Sequence, residues 1–468
     1  MYSAPNILIH IGNENVDTLD IAVFLRNETM HSIPALFQVL IIFAALIVAT
    51  ARKVHLGLAA AVGGMLLALW RGMGPLAVAR AAVVEAIKPD TLLLVALMAW
   101  IMAFSAAMKR SGAMDAFSRS LVAIAPSPRF AMAIAPLLIG TLPMPGGAIL
   151  SAPLVDAMDP RRERDPDVLS AANYWFRHCL ELAWPLYPAF ILTASLTGLS
   201  AGRLAILNFY APPVVFTLGL LFILRMPRRS GTLPSREIPV AREPFGRRLT
   251  VFAAGVAPLA LVLGTYIALD IAWKAIAPSF GLPPAAAALF ARYLPIFLGL
   301  SAGSLYVVAG SSGVGAFKGS VGGSTFKLIA VIIGIRVFSS LLGVAGVASA
   351  AAGELASAGI PTVVAIAALP FVAGLVTGVG FGYVGLAFPI ILGLAPAGGP
   401  FPREAAIVLA GAFGYVGMML SPLHVCMVVS AEHFGVGLAS TIRRFALPLT
   451  VFAAIATVYV SLLTAWLT

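Results

Sequence analysis

Charge is scarce in this chain of 468 residues, because Asp, Glu, Lys and Arg together make up only 10% of it. A soluble domain carries about a quarter, so an ordinary soluble globular protein is excluded. Acids are scarcer than bases, 19 against 30, for a formal net charge of +11. The bases fall in short segments between apolar runs, as they do when they orient a membrane protein, and this excludes nucleic-acid binding as their meaning. Cysteine occurs only as Cys179 and Cys426. Both lie within apolar runs and form no CxxC, which excludes a disulfide framework and a zinc-finger spacing and leaves two small apolar fillers. HExxH and paired-Asp motifs are also missing. Ser421 and His424, three residues apart, have no orienting carboxylate nearby in sequence. No catalytic residue, metal site or cofactor is therefore expected, and the chain does not read as an enzyme.

What is abundant is apolar. Hydrophobic residues make up 60% of the chain and the mean hydropathy is +0.99. Runs of about twenty apolar residues recur from Ala35 to Leu467, the signature of an all-α polytopic membrane protein. The 44 Gly and 33 Pro sit inside those runs, where they suit close helix packing and broken helices. Residues 1–33 read as a polar tail without the basic start of a secretory signal, and Met30 is an alternative start just before the first span. Spans are expected at 35–50, 54–70 and 91–108, followed by an amphipathic piece at 114–124, a re-entrant hairpin at 130–158, a broken span at 168–199 and a span at 203–224. The basic linker 225–248 separates two halves. The second half gives spans at 249–269, 284–308 and 328–348, a hairpin at 361–392, a broken span at 403–430 and a last span at 445–466. The total is about ten transmembrane helices plus two re-entrant hairpins.

The halves correspond. A shift of 236 residues pairs Thr141 with Thr377, Gly146 with Gly382, Leu150 with Leu386 and Pro153 with Pro389, and a shift of 237 pairs Trp184–Tyr187 with Ser421–His424. Five crossings and a hairpin in each half require opposite insertion, which makes an inverted repeat, the ground plan of many secondary transporters. With the basic linker inside, both termini lie outside. Twenty Lys and Arg then fall on the inner side and eight on the outer, with Arg177 and Arg336 within the membrane, in accord with the positive-inside rule.

Broken backbone at membrane depth is tolerated only where protein or a water-filled cavity satisfies its polar groups. The half-helix after a break points its N–H groups inward, which suits an anion. The candidate substrate-binding residues are therefore Pro143, Pro145, Gly146, Gly147 and Ser151 at the first hairpin tip, and Asn173 and Tyr187 on the first broken span, with Trp184 and Pro185 at its break. From the second half come Thr377, Gly378, Gly380 and Gly382 within TGVGFGYVG, and Ser421 and His424 at the second break. Small-residue helix packing also accounts for TGVGFGYVG. Arg177, His178 and Glu181 are candidate coupling residues, since Arg177 and Glu181 share a helix face at i, i+4 and His178 and Glu181 do so at i, i+3. A self-neutralising ion pair is the competing reading. His424 reads equally as a satisfied core histidine, and Asp270 and Glu354 read as outer-interface residues.

The run LPMPGGAILSAP followed by NYWFRH and WPLYP resembles an uncharacterised membrane family known as domain of unknown function 401. The resemblance implies membership of the ion-transporter superfamily, beside citrate, dicarboxylate, gluconate and arsenite transporters. It also implies a homodimeric, elevator-type carrier. The first repeat would be 34–224, with scaffold 35–110 and transport part 130–224, and the second 249–468, with scaffold 249–348 and transport part 361–467. The Ser-Asn-Thr tips of sodium/dicarboxylate relatives are absent here. The expected function is secondary active transport of a small anion, an organic carboxylate, across a bacterial or archaeal cytoplasmic membrane, coupled to H⁺ or Na⁺. The alternatives are a channel or passive facilitator, and then an intramembrane enzyme. The expected partners are the anion, the lipid bilayer and a second copy of the chain.

Overall fold

The computed structural model describes residues 33–113, 127–141, 147–159, 163–224, 244–310, 313–359, 361–396, 398–399 and 401–467, and every regular element among them is helical. The first half contains α1 (Ala35–Ala51), α2 (Leu56–Trp70), α3 (Pro75–Ile87), α4 (Pro89–Arg110), α5 (Pro128–Gly140), α6 (Gly147–Ala157), α7 (Pro166–Arg177), α8 (Pro188–Thr197), α9 (Ala201–Leu207) and α10 (Ala211–Leu218). A π turn, Gly219–Ile223, continues α10. The second half contains α11 (Phe245–Ile276), α12 (Pro284–Ala309), α13 (Gly323–Val344), α14 (Val347–Ser357), α15 (Thr362–Thr377), α16 (Gly380–Leu394), α17 (Arg403–Leu420), α18 (Val425–Phe434) and α19 (Leu438–Leu467).

Among the described residues six stretches are long and apolar enough to cross a membrane: α4, α11, α12, α13, α19 and the α17–α18 run. The α8–α9 pair, bent by 108°, makes a seventh if taken as one span. The chain is thus a multi-pass helical membrane protein, and ten crossings are not reached on this measure. The reason is length. The 15 residues of α2 rise only about 22 Å, short of a hydrocarbon core of about 30 Å.

The helices pack in two groups. In one, α1 packs on α2 and α14, α2 on α13, α13 on α3 and α4, and α12 on α11 and α4. In the other, α5 packs on α6 and α7, α7 on α18 and α19, α8 on α16, and α15 on α16 and α17. Helices α13 and α14 meet α16, and α4 meets α8, where the groups join. Both hairpins have a proline inside each arm, Pro136 and Pro153 in the first and Pro370 and Pro389 in the second.

Two helices depart from the expectation. The segment carrying Arg80 and Glu85 forms α3, and Glu85 is buried against Arg336. Residues after 346 form α14, whose Glu354 accepts hydrogen bonds from the backbone N–H groups of Ala35 and Leu36 at 2.6 and 2.7 Å. The first amides of a helix lack intrahelical partners, and Pro34 offers α1 no side-chain cap. Glu354 is therefore a cap for α1. Asp270, near the end of α11, has a carboxylate that pairs with the exposed Lys274 at 2.7 Å. The amphipathic piece 114–124, residues 225–243 of the linker and residues 1–32 of the tail lie outside the described residues.

Candidate functional site

The first break runs from His178 to Tyr187. Helix α7 stops at Arg177, and α8 restarts with Pro188 at its first position, where a missing N–H costs nothing and φ is already helical. The gap closes on itself. The Tyr187 hydroxyl donates to the carbonyl of Arg177 at 3.0 Å, and Trp184 Nε1 donates to the carbonyl of Thr141 at 2.8 Å. Each bond satisfies a carbonyl at a helix end that has no intrahelical donor. At the second break Ser421 ends α17 and His424 is the N-cap of α18. Ser421 Oγ accepts from the N–H of Leu423 at 3.2 Å. The second hairpin turns through Gly378 at φ +63°, a left-handed conformation that suits glycine. A Cβ there would lie 2.9 Å from the backbone of His424 and from Ser421 Oγ, so tip and break are packed together.

A cavity of about 540 Å³ lies where the two helix groups meet. Met102 of α4 and Lys327, Leu328 and Val331 of α13 form one wall. The other wall comes from the two breaks and the second tip, with Arg177, His178, Glu181 and Tyr187 beside Gly380, Phe381, His424 and Cys426. The first turns of α8, α16 and α18 all reach this cavity. The C-terminal end of α7 also faces it, and Arg177, its last residue, brings a cation there.

The two histidines come from opposite halves and touch. Their ring centroids are 4.6 Å apart, and the Tyr174 ring stands edge-on to both at 5.2 and 5.1 Å. His178 Nδ1 lies 3.1 Å from Glu181 Oε2. One ring nitrogen of each histidine and Cys426 Sγ all fall within 4.8 Å of one another.

Of the residues singled out from the sequence, the cavity gathers Arg177, His178, Glu181, Tyr187, Gly380 and His424. Others support it from behind. Asn173 Nδ2 donates to the Ala148 carbonyl at 3.3 Å and to Ser430 Oγ at 2.8 Å, tying α7 to α6 and α18. Ser151 Oγ donates back to the Gly147 carbonyl at 3.4 Å, and Thr377 Oγ1 to the Ala373 carbonyl at 2.7 Å, so both hydroxyls serve their own helices. Gly147 begins α6 against the Arg177 guanidinium, where a Cβ would collide, and Gly382 leaves space for Thr377. Pro143, Pro145 and Gly146 lie outside the described residues. Because α7 ends at Arg177, Arg177 and Glu181 do not share one continuous helix, and Glu181 sits in the turns beside His178.

Among the cavity residues that sequence reasoning missed, two carry ionisable side chains, Lys327 and Cys426. Lys327 precedes the expected span 328–348, on the inner side, yet it sits in the second turn of α13 on the cavity wall. Cys426, an apolar filler by its sequence context, faces the two imidazoles. The sequence HVC at 424–426 was a signal for it, since i and i+2 at a helix start place both residues near the cap. Cys179 fits the filler reading, being buried with its thiol 3.7 Å from the Trp175 carbonyl.

A family model described as "Protein of unknown function (DUF401)" matches residues 29–276 and 296–463. No curated protein matches the chain. Among solved structures, the YdaH transporter of Alcanivorax borkumensis is similar at a TM-score of 0.56 and 15% identity, over 82% of this chain and 87% of that one. MtrF of Neisseria gonorrhoeae, described within a class of antimetabolite efflux pumps, is similar at a TM-score of 0.48 and 13% identity, over 83% of this chain and 82% of that one.

Proposed function

The chain belongs to the DUF401 family, and from that footing we propose that it is a secondary active carrier of a small anion. The cargo is an organic carboxylate, moved across the cytoplasmic membrane and coupled to H⁺ or Na⁺. One observation carries the reading. Three helix N-termini, those of α8, α16 and α18, converge with Arg177 and Lys327 on one cavity at the meeting of the two helix groups. Free N–H groups and the positive ends of helix dipoles favour an anion without full burial of a lysine. A volume of about 540 Å³ falls in the usual range for a small-molecule site. The fold shared with a protein described as a transporter supports a carrier over an enzyme.

In this reading the group holding α5–α10 and α15–α19 is the transport part, and the group holding α1–α4 and α11–α14 is the scaffold. The transport part moves past the scaffold as an elevator within a homodimer, on the resemblance to the ion-transporter superfamily. The repeated order of hairpin, broken span and final helix supports an inverted repeat. With the basic linker inside, Lys327 and Ser324 mark the cytoplasmic rim of the cavity.

The test is a thermal-shift screen of purified protein against small carboxylates, with and without Na⁺ and at two pH values, followed by gradient-driven uptake into proteoliposomes. A ligand at 100 times its Kd stabilises the folded state by about 2.7 kcal/mol. Lys327→Ala, at an exposed position, is expected to weaken binding about tenfold, or about 1.4 kcal/mol. Absence of a shift with every carboxylate overturns the substrate class, and uptake indifferent to both gradients overturns active transport in favour of a passive facilitator.

A further inference from the structure

The cavity wall also contains a cluster of metal-ligating side chains. His178, His424 and Cys426 offer two imidazole nitrogens and a thiol sulfur, all within 4.8 Å of one another. We propose that these three side chains bind a borderline-soft transition-metal ion of the zinc class, with a fourth coordination position open to the cavity.

Orientation is the first argument. Glu181 Oε2 lies 3.1 Å from His178 Nδ1, the carboxylate–histidine arrangement that fixes the tautomer and turns the other nitrogen into a metal ligand. That other nitrogen, His178 Nε2, is buried with no hydrogen-bond partner among the described residues, and so is His424 Nδ1. Both histidines are only 6% exposed. A buried imidazole nitrogen without a partner is costly, and coordination to a metal ion would supply one. The Tyr174 ring also packs edge-on against each imidazole.

Donor chemistry is the second argument. Imidazole suits zinc, copper, iron and nickel, whereas thiolate selects copper(I) and zinc, so the mixed set favours zinc and its neighbours over hard cations. Cys426 lies in the first turn of α18, where the helix dipole favours a negatively charged ligand. Tetrahedral zinc with ordinary bond lengths places its ligand atoms about 3.5 Å apart. The three groups therefore close by about 1 Å on binding, within the reach of side-chain torsions. Three protein ligands and one open position form the pattern of reactive rather than structural zinc sites. The ligands come from both halves of the chain, so no local spacing in the sequence announces them.

The experiment uses the purified full-length protein titrated with Co(II) as a spectroscopic stand-in, then with Zn(II) as competitor. The expected result is one Co(II) per chain, a thiolate-to-cobalt charge-transfer band, d–d bands of tetrahedral intensity, and loss of all three on adding Zn(II). Cys426→Ser is expected to abolish the charge-transfer band, and His424→Gln to weaken binding at least tenfold. Cys179→Ser, which removes the other cysteine, keeps the full spectrum. Glu181→Gln is expected to lower affinity by about 10–100-fold, as loss of an outer-shell partner does. A wild-type spectrum without the thiolate band overturns the proposal whatever the variants do, and so does a band that survives Cys426→Ser. The readout is metal binding alone, so failure of carboxylate transport would leave it standing.

Discussion

Arg336 shows how much a single buried charge organises. It is 7% exposed, yet its guanidinium pairs with Glu85 and with Asp90 at 2.9 Å, and donates to Thr91 Oγ1 and Ser195 Oγ, each at 3.2 Å. Arg292 and the Tyr293 hydroxyl complete the shell of Asp90 at 2.8 and 2.9 Å. Breaking a buried ion pair strands the remaining charge and costs about 3–5 kcal/mol. Arg336→Gln is therefore expected to destabilise the protein by about that much, read as a lower thermal midpoint in detergent. Ser195→Ala removes only one neutral acceptor and is expected to cost about 1 kcal/mol. From the sequence Arg336 was recognisable as an intramembrane charge, but its acids were not. Glu85 and Asp90 lie some 250 positions upstream in what read as an outer loop and a span start, and charge pairing across such a distance leaves no local pattern. Lys327 shares that fate, since nothing in its neighbourhood distinguishes a loop base from one that faces a cavity.

At the scale of elements, glycine sets how closely helices approach. A Cβ on Gly334 of α13 would lie 2.5 Å from the carbonyl carbon of Gly57, and one on Gly57 of α2 would lie 2.6 Å from that of Ala330. Here backbone rests on backbone, as small residues allow in membranes. Gly334→Leu is expected to destabilise the α2–α13 contact by about 1–3 kcal/mol or more through overpacking. Gly343→Ala, on the same helix but with open space around its Cβ, is expected to be neutral or slightly stabilising. Thermal denaturation of the two variants side by side checks the contrast. The existence of the long apolar helices and of both breaks was legible, because length, apolarity and proline placement are local. Pro188 and Pro422 mark the breaks directly. Helices α3 and α14 were not legible, since they carry charges whose burial depends on partners from elsewhere.

At the scale of the molecule, the two helix groups and their shared cavity follow from packing between halves. Arg203 of α9 pairs with Glu404 of α17 at 2.9 Å, and Arg444 of α19 with Asp167 of α7 at 2.8 Å, and with the Arg336 and Arg292 pairs they stitch the first half to the second. Orientation is the global property most open to test. The basic linker, taken as cytoplasmic with 20 Lys and Arg inside against eight outside, predicts both termini outside. A C-terminal alkaline phosphatase fusion is then expected to be active and a C-terminal green fluorescent protein fusion dark. The reverse result would invert the orientation, and with it the side on which Lys327 stands.

By itself the sequence determined that the chain is helical and crosses the membrane several times. It also determined where the second hairpin turns and where two spans break, and it brought His178 next to Glu181. Each of these depends on neighbouring residues, through hydropathy, proline and glycine stereochemistry, or i, i+3 proximity. Only the tertiary structure decided that His178 meets His424 and Cys426, that Lys327 faces them, and that Glu354 caps α1. Those contacts join residues from opposite halves or distant helices, and they are set by how whole helices pack.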